Sequence, residues 1–306
     1  LSYEEGQFYL NVAATREATD VVWDGGADGI WDFDDSKNFK TLDGNSTTFV
    51  TGDAVTFNDQ ASATTIQVTE DLSPASVTFD NNTKNFTVEG SGSIIGNGSL
   101  TKKGTAHVTI NNVNKYTGGT ILEGGKLTVS SLANSDGAEY GALGGVSNKI
   151  TFNGGTLAVN KDMVTSQPVS ITDGNGTIEI ANGKELTMNG AISGSLKELT
   201  KTGAGTLTLN GNATYGTLIL NQGVIQAGEN NGSLHQYPST VILNGGTLRD
   251  PDNIYSYSTN RANIEVPAGK TAAWTLDSRC DYKGKLTGAG TLTVNVTSVR
   301  SNMQGD

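Results

Sequence analysis

LTKTGAGTLTLNG, residues 199–211, decides how the rest of the chain is read. Its alternation sends Leu207 and Leu209 one way and Thr206 and Thr208 the other, because successive Cβ atoms point to opposite faces of a strand. Gly203, Gly205 and Gly211 bracket the run and permit positive φ where the chain must bend. The phrase returns in looser form as LTKKGTAHVTINN at 100–112 and LTGAGTLTVNV at 286–296, so its starts lie 99 and 87 residues apart. A second phrase, ITFNGGTLAV at 150–159, returns as VILNGGTLRD at 241–250, 91 residues later. Nothing in either phrase is reactive. What recurs is a strand and its corners.

Between these copies, shorter strand-and-turn units follow one another, as in VSITDGNGTIEI (169–180), KELTMNGAI (184–192) and YGTLILNQGVIQA (215–227). Each is a short alternating run closed by Gly, Asn or Asp, at the spacing of solenoid rungs. A coil of this kind cannot bury its apolar side alone, so inward leucines must rest on those of the coils above and below, with threonines facing water. Asn153-Gly154-Gly155 and Asn244-Gly245-Gly246 supply corner chemistry, and stacked Asn side chains form ladders. The chain is therefore expected to be an all-β, single-stranded parallel β-helix with super-repeats of about 90–100 residues. At roughly 20 residues per coil it would make about 15 coils and a rod of roughly 70 Å. An antiparallel sandwich uses similar strands and Asn-Gly turns, but it does not normally repeat a strand phrase at such long intervals.

Composition agrees. Glycine is 40 of 306 residues, about twice its average share of ~7%, and no stretch carries the 3.6-residue period of an amphipathic helix. The net charge of −11, from 31 acidic and 20 basic residues, disfavours nucleic acid and anionic membrane surfaces, which call for a Lys/Arg footprint. No apolar run approaches the length of a membrane-spanning helix. The single cysteine, Cys280, cannot form an intramolecular disulfide. With no initiator Met and no leader-like segment, the chain is expected to begin inside a longer precursor.

LTKTGAGTLTLNGNATYGTLILNQGVI (199–225) and LTKKGTAHVTINNVNKYTGGTILEGGKLTV (100–129) resemble the autotransporter-associated β-strand repeat. Leu100, Thr101, Lys102, Gly104, Tyr116, Thr117, Gly118, Gly119, Thr120, Gly125 and Leu127 match its pattern position by position. The second copy has Tyr215-Gly216-Thr217 where the pattern has Tyr-Thr-Gly-Gly-Thr, and the third stops before any Tyr. Upstream, VVWDGGADGIWD (21–32) and FVTGDAVTFND (49–59) look like the opening of a repeat block in such proteins. The resemblance spans about residues 20–296 and implies a right-handed β-helix, extracellular or on the outer cell surface, forming one segment of a larger exported protein. Residues 1–20 are expected to be the end of a preceding unit or a cap and 21–297 the repeat domain, and SVRSNMQGD (298–306), which has no alternating pattern, is expected to be a linker or tail.

Chemistry is sparse on this scaffold. His107 and His235 are far apart, and a catalytic triad or zinc site lacks parts. Asp24, Asp28, Asp32, Asp34 and Asp35 crowd into twelve residues, yet Gly26 breaks the ligand alternation of a calcium loop and no Glu closes it; the expected role is a turn between strands, with Trp23 and Trp31 as cap or core. No metal and no cofactor is expected. Polysaccharide cleavage would need paired carboxylates, for which Asp250, Asp252, Asp277 and Asp281 are the candidates, with Arg249, Arg261 or Arg279 to hold an acidic sugar. Glycan binding would need exposed rings beside hydrogen-bonding groups. Tyr237, Tyr255 and Tyr257 with Asn253, Asn260 and Arg261 are the candidate set, and Trp274 on the same open face would strengthen it. The expected role is a non-catalytic stalk or adhesive surface whose partner is a glycan or other cell-surface ligand. A polysaccharide-binding or polysaccharide-degrading β-helix is the alternative.

Overall fold

In the computed structural model the chain is a parallel β-solenoid. Residues 16–26, 28–227, 238–250, 262–277 and 280–297 are described, together with the strands Ser2–Glu4, Gln7–Tyr9, Ser258–Asn260 and Asn302–Met303. Among the described residues there is no α-helix, only a single 3-10 turn at Ser135–Gly137.

Each coil has three sides. On the first face, Asp20–Trp23 is followed by Ala54–Asn58, Ser76–Asp80, Ser99–Lys103, Thr120–Leu122, Ile150–Phe152 and Val169–Ile171, all paired in parallel. The second face is a row of twelve strands from Ile30–Trp31 through Thr65–Val68, Phe86–Glu89, His107–Ile110, Lys126–Val129, Thr156–Val159 and Gly176–Ile180 to Leu286–Thr287. The third face forms a sheet of seven strands, from Met163–Thr165 and Glu185–Met188 through Thr206–Leu209 to Thr291–Val296. Register partners on the second face are 19 to 23 residues apart, except for a step of 37 in the first coil and one of 30 where the connection from Val129 to Ile150 is lengthened. The coils are thus longer and fewer than the fifteen expected, and twelve stacked strands span about 50 Å.

The core is a column of like residues. Leu186, Leu207, Ile225, Leu248 and Trp274 stack in register on the third face, each essentially buried. Leu207 and Leu209 point inward as expected. Thr208, however, does not face open water: it is 6% exposed and its Oγ1 donates to Glu185 Oε1 at 2.6 Å. Neighbouring coils crowd the outer row as well as the inner one.

The repeated phrases do not return to the same place. Leu100–Lys102 lie on the first face, where they pair with Val77–Phe79, whereas Leu199–Lys201 lie on the second and pair with Gly176–Ile178. The interval of 99 residues is therefore four coils and one face, while the 87 residues from Leu199 to Leu286 are four whole coils. The second phrase slips in the same sense, from Ile150–Phe152 on the first face to Thr240–Leu243 on the second.

The first coil is built differently. Phe39–Thr41 and Ser46–Thr47 form an antiparallel hairpin that pairs with Asp20–Trp23 on the side away from Ala54–Asn58. Beneath it Trp23, Trp31, Phe39, Phe49 and Phe57 pack edge to face or tilted, with centroids 5.1–6.1 Å apart. Trp23 and Trp31 are core, at 1% and 0% exposure. Asp53, from the Gly-Asp pair that precedes Phe57, is buried and accepts from Arg16 Nη1 (2.7 Å) and Nη2 (2.5 Å) and from the backbone N–H groups of Thr19 and Val50.

Candidate functional site

The glycan-binding set proposed from sequence falls almost wholly on residues that the structure does not describe. Tyr237, Asn253, Tyr255, Tyr257 and Arg261 lie outside the described residues, and of Asn260 only its strand, paired with Cys280–Tyr282, is described. Trp274 does not join an open face. It is fully buried, packed edge to face on Tyr282 at 5.1 Å, and its Nε1 donates to Asp250 Oδ2 at 2.9 Å.

Of the carboxylates weighed for catalysis, Asp250 and Asp277 are described, and they face opposite sides of the coil wall. Strand alternation turns Asp250 inward, where it is fully buried, and Arg249 outward, where Nε meets Asp277 Oδ2 at 2.6 Å. That bond and a second from Thr297 Oγ1 hold the Asp277 carboxyl below the usual range. Asp252 lies outside the described residues, and the side chain of Asp281 is not described. A pair of carboxylates facing one substrate from opposite sides of the coil wall is not what alternation produces here.

In the acidic loop the oxygens are engaged by the protein. Asp28 accepts from Ile30 N–H and Asn38 Nδ2, Asp32 from the Ser36 N–H and hydroxyl, and Asp34 from Thr48 Oγ1. Among the described residues no three acidic, His or Cys side chains converge as a metal centre would require. His107 is half-buried, with Nε2 2.7 Å from Thr128 Oγ1; burial and the Lys126 charge lower its pKa.

Two lysines were read from sequence only as letters of a pattern. In Leu100-Thr101-Lys102 and Leu199-Thr200-Lys201 alternation puts the lysine on the leucine's side, and both lysines are fully buried. Lys201 Nζ donates to the carbonyls of Thr202 (2.7 Å), Gly203 (2.7 Å) and, one coil on, Gln222 (3.2 Å). Lys102 does the same for Lys103, Gly104 and Gly124. Burial lowers both to about 8. The glycine behind each is obligatory: Gly104 and Gly203 have φ of 62° and 73°, and a Cβ would sit 2.2 Å from the carbonyl oxygen of Asn81 or Ile180. The tyrosines of the pattern are interior too. Tyr116 shares a 2.6 Å bond with Thr120, but in the shortened second copy the buried Tyr215 hydroxyl has no partner among the described residues. The lysines, tyrosines and leucines that mark the repeat in these two copies are thus interior, and its outward residues are mainly threonines and glycines.

A recessed polar surface flanked by the hairpin lies outside the repeat phrases. A cleft of about 300 Å³ is walled by Val22, Asp24, Lys40, Leu42, Asn58 and Gln60. Lys40 Nζ and Asp24 Oδ1 pair across it at 2.8 Å, and this hydrogen bond holds Asp24 below the usual carboxylate range. Alternation brings Val22 and Lys40 to the outer surface in register, which the sequence alone could not show because the hairpin's pairing partner was unknown.

The passenger-associated-transport-repeat family matches residues 100–129 and 199–227. The adhesin BmaC autotransporter of Brucella suis biovar 1 (strain 1330) is 36% identical over 118 residues, which is 39% of this chain and 3% of that relative. The chain therefore spans a small fraction of the length of the curated relative it matches. No solved structure matches. This chain is thus a parallel β-helix that carries two matched copies of the passenger-associated-transport repeat and is similar over part of its length to an autotransporter adhesin.

Proposed function

We propose that this chain is a non-catalytic segment of a larger exported protein, extracellular or on the outer cell surface, where it serves as a scaffold that carries an adhesive surface. The observation that carries this reading is its likeness over 118 residues to an autotransporter adhesin. The physical design supports it. Stacked coils give length and stiffness, while the strongest polar groups of the repeat are turned inward onto backbone carbonyls. Its partner is a glycan or other cell-surface ligand, with no nucleic acid and no bilayer insertion by this segment, in keeping with the net charge of −11. Beads coated with the purified chain should attach to cultured host cells well above beads coated with an unrelated β protein. Equal attachment would refute the adhesive role. Incubation with uronate-containing and neutral polysaccharides should release neither unsaturated products nor new reducing ends; turnover that disappears in Asp277→Asn would overturn the non-catalytic role.

A further inference from the structure

The geometry points to the hairpin of the first coil as a binding site for a neutral oligosaccharide that straddles Leu42. This inference deepens the adhesive reading and rests on it. Leu42 is 73% exposed, although it sits in a hairpin whose neighbour Phe39 is locked into the aromatic core. It forms an apolar ridge between two recesses. One is the 300 Å³ cleft with Asp24, Lys40, Asn58 and Gln60; the other is an open groove with Thr19, Asp43, Asn45, Ser46 and Thr47, and both share Thr41 and Leu42.

Three features select the ligand class. First, charge is cancelled locally: Lys40 is paired with Asp24, the second groove is lined by Asp43, and Arg16, which reaches the groove's Thr47, is itself paired with Asp53, so an anionic ligand gains nothing. Second, donors and acceptors remain available at the rim. Asn58 Oδ1 accepts from the Gln60 N–H, while Asn58 Nδ2 and the Gln60 side-chain amide have no protein partner among the described residues. Amides beside a paired carboxylate and ammonium can satisfy adjacent sugar hydroxyls as donor and acceptor together, and the Leu42 and Val22 methyl groups can meet the C–H face of the ring. Third, the walls are fixed in advance. The hairpin pairs with Asp20–Trp23 in register, Trp23 Nε1 donates to Ala63 O at 2.9 Å, and the Asp24 carbonyl accepts from Ser62 and Ala63 N–H, so ordering costs on binding are small. Outward Thr56, Thr78 and Thr101 stand in register along the same face and offer hydroxyls to a longer chain.

The test is amide-detected NMR of the isotopically labelled chain with lactose, cellobiose and chitobiose at millimolar concentration, beside sialyllactose. At least one neutral disaccharide should shift amides within residues 40–47 and 58–60. Leu42→Asp and, separately, Gln60→Ala should weaken that binding by about tenfold or more, with the rest of the spectrum unchanged, since both side chains are exposed. Shifts by none of the neutral sugars, shifts only by sialyllactose, shifts confined to another face, or full binding by Leu42→Asp would each overturn the proposal. Bead attachment separates the two levels: if Leu42→Asp beads attach as well as the parent, the hairpin site fails while the adhesive reading stands, and if the parent does not attach, the adhesive reading fails.

Discussion

Lys201 permits a quantitative test of how the coils are held together. Its ammonium is fully covered and donates to three carbonyls on two successive coils, and burial alone lowers it from 10.5 to about 8. In the unfolded chain it returns to its ordinary value. Between those two values the unfolded state binds more protons than the folded state, so stability rises with pH there and is flat below about pH 8. For a folded pKa of about 8 and an unfolded pKa of 10.5, raising the pH from about 7 to about 9.5 adds about 2 kcal/mol. Lys102, also lowered to about 8, adds a similar amount, although Asp80 and Asp59 oppose its shift. The assay is urea unfolding at those two pH values for the parent, Lys201→Met, Lys102→Met and the double variant. The parent should gain stability, each single variant about half as much, and the double variant little. Above about pH 10 the gain should reverse, because burial raises Tyr116 and Tyr215 and their unfolded forms ionise first. A parent whose stability does not rise, or a double variant that rises as much as the parent, would show that these ammonium groups are not buried in the coil corners.

Three further outcomes follow from the packing. Leu209→Ala should cost about 2–5 kcal/mol by leaving a cavity in the stacked column, whereas Thr208→Ala should cost only about 1 kcal/mol for its bond to Glu185; equal effects in chemical unfolding would mean the strand faces are misassigned. Tyr215→Phe should be neutral or stabilising because its buried hydroxyl has no partner among the described residues, while Tyr116→Phe should cost about 1–3 kcal/mol by stranding the buried Thr120 hydroxyl; thermal unfolding that ranks them the other way would refute this. Asp53→Ala should cost about 3–5 kcal/mol, since it removes the carboxylate that pairs with Arg16 and leaves the Thr19 and Val50 N–H groups without their acceptor; a melting curve that superimposes on the parent's would refute the role given to this carboxylate.

Alternation made the core column legible in advance, and Leu207 and Leu209 lie where it puts them, while Trp23 and Trp31, expected as cap or core, are core. The same rule placed Lys102 and Lys201 inside, a consequence masked by the habit of reading lysine as a surface residue. Asp250 and Trp274 show the opposite failure. Each looked like a surface group, but they satisfy one another in the interior, and such pairing across coils has no signature in the order of residues. The hairpin cleft was illegible for the same reason: Asp24 and Lys40 are 16 residues apart and meet only because Phe39–Thr41 folds back antiparallel onto Asp20–Trp23.

The sequence by itself determined that this is a β-solenoid, because period-two alternation, glycine corners and a long-range repeat are properties of order along the chain. Which face each copy of the repeat occupies was decided only by the tertiary structure. A phrase that recurs after 99 residues lands one face further round, and one that recurs after 87 lands on the same face. The difference lies in how many residues each intervening corner uses. The lengthened connection from Val129 to Ile150 and the shortened link Tyr215-Gly216-Thr217, which runs inside the continuous strand Ala213–Leu220, change that number while the next strands regain parallel register. Corners are free to vary in length as long as the next strand regains its parallel register, so the surface that each repeat presents is set by the accumulated stacking of the coils before it.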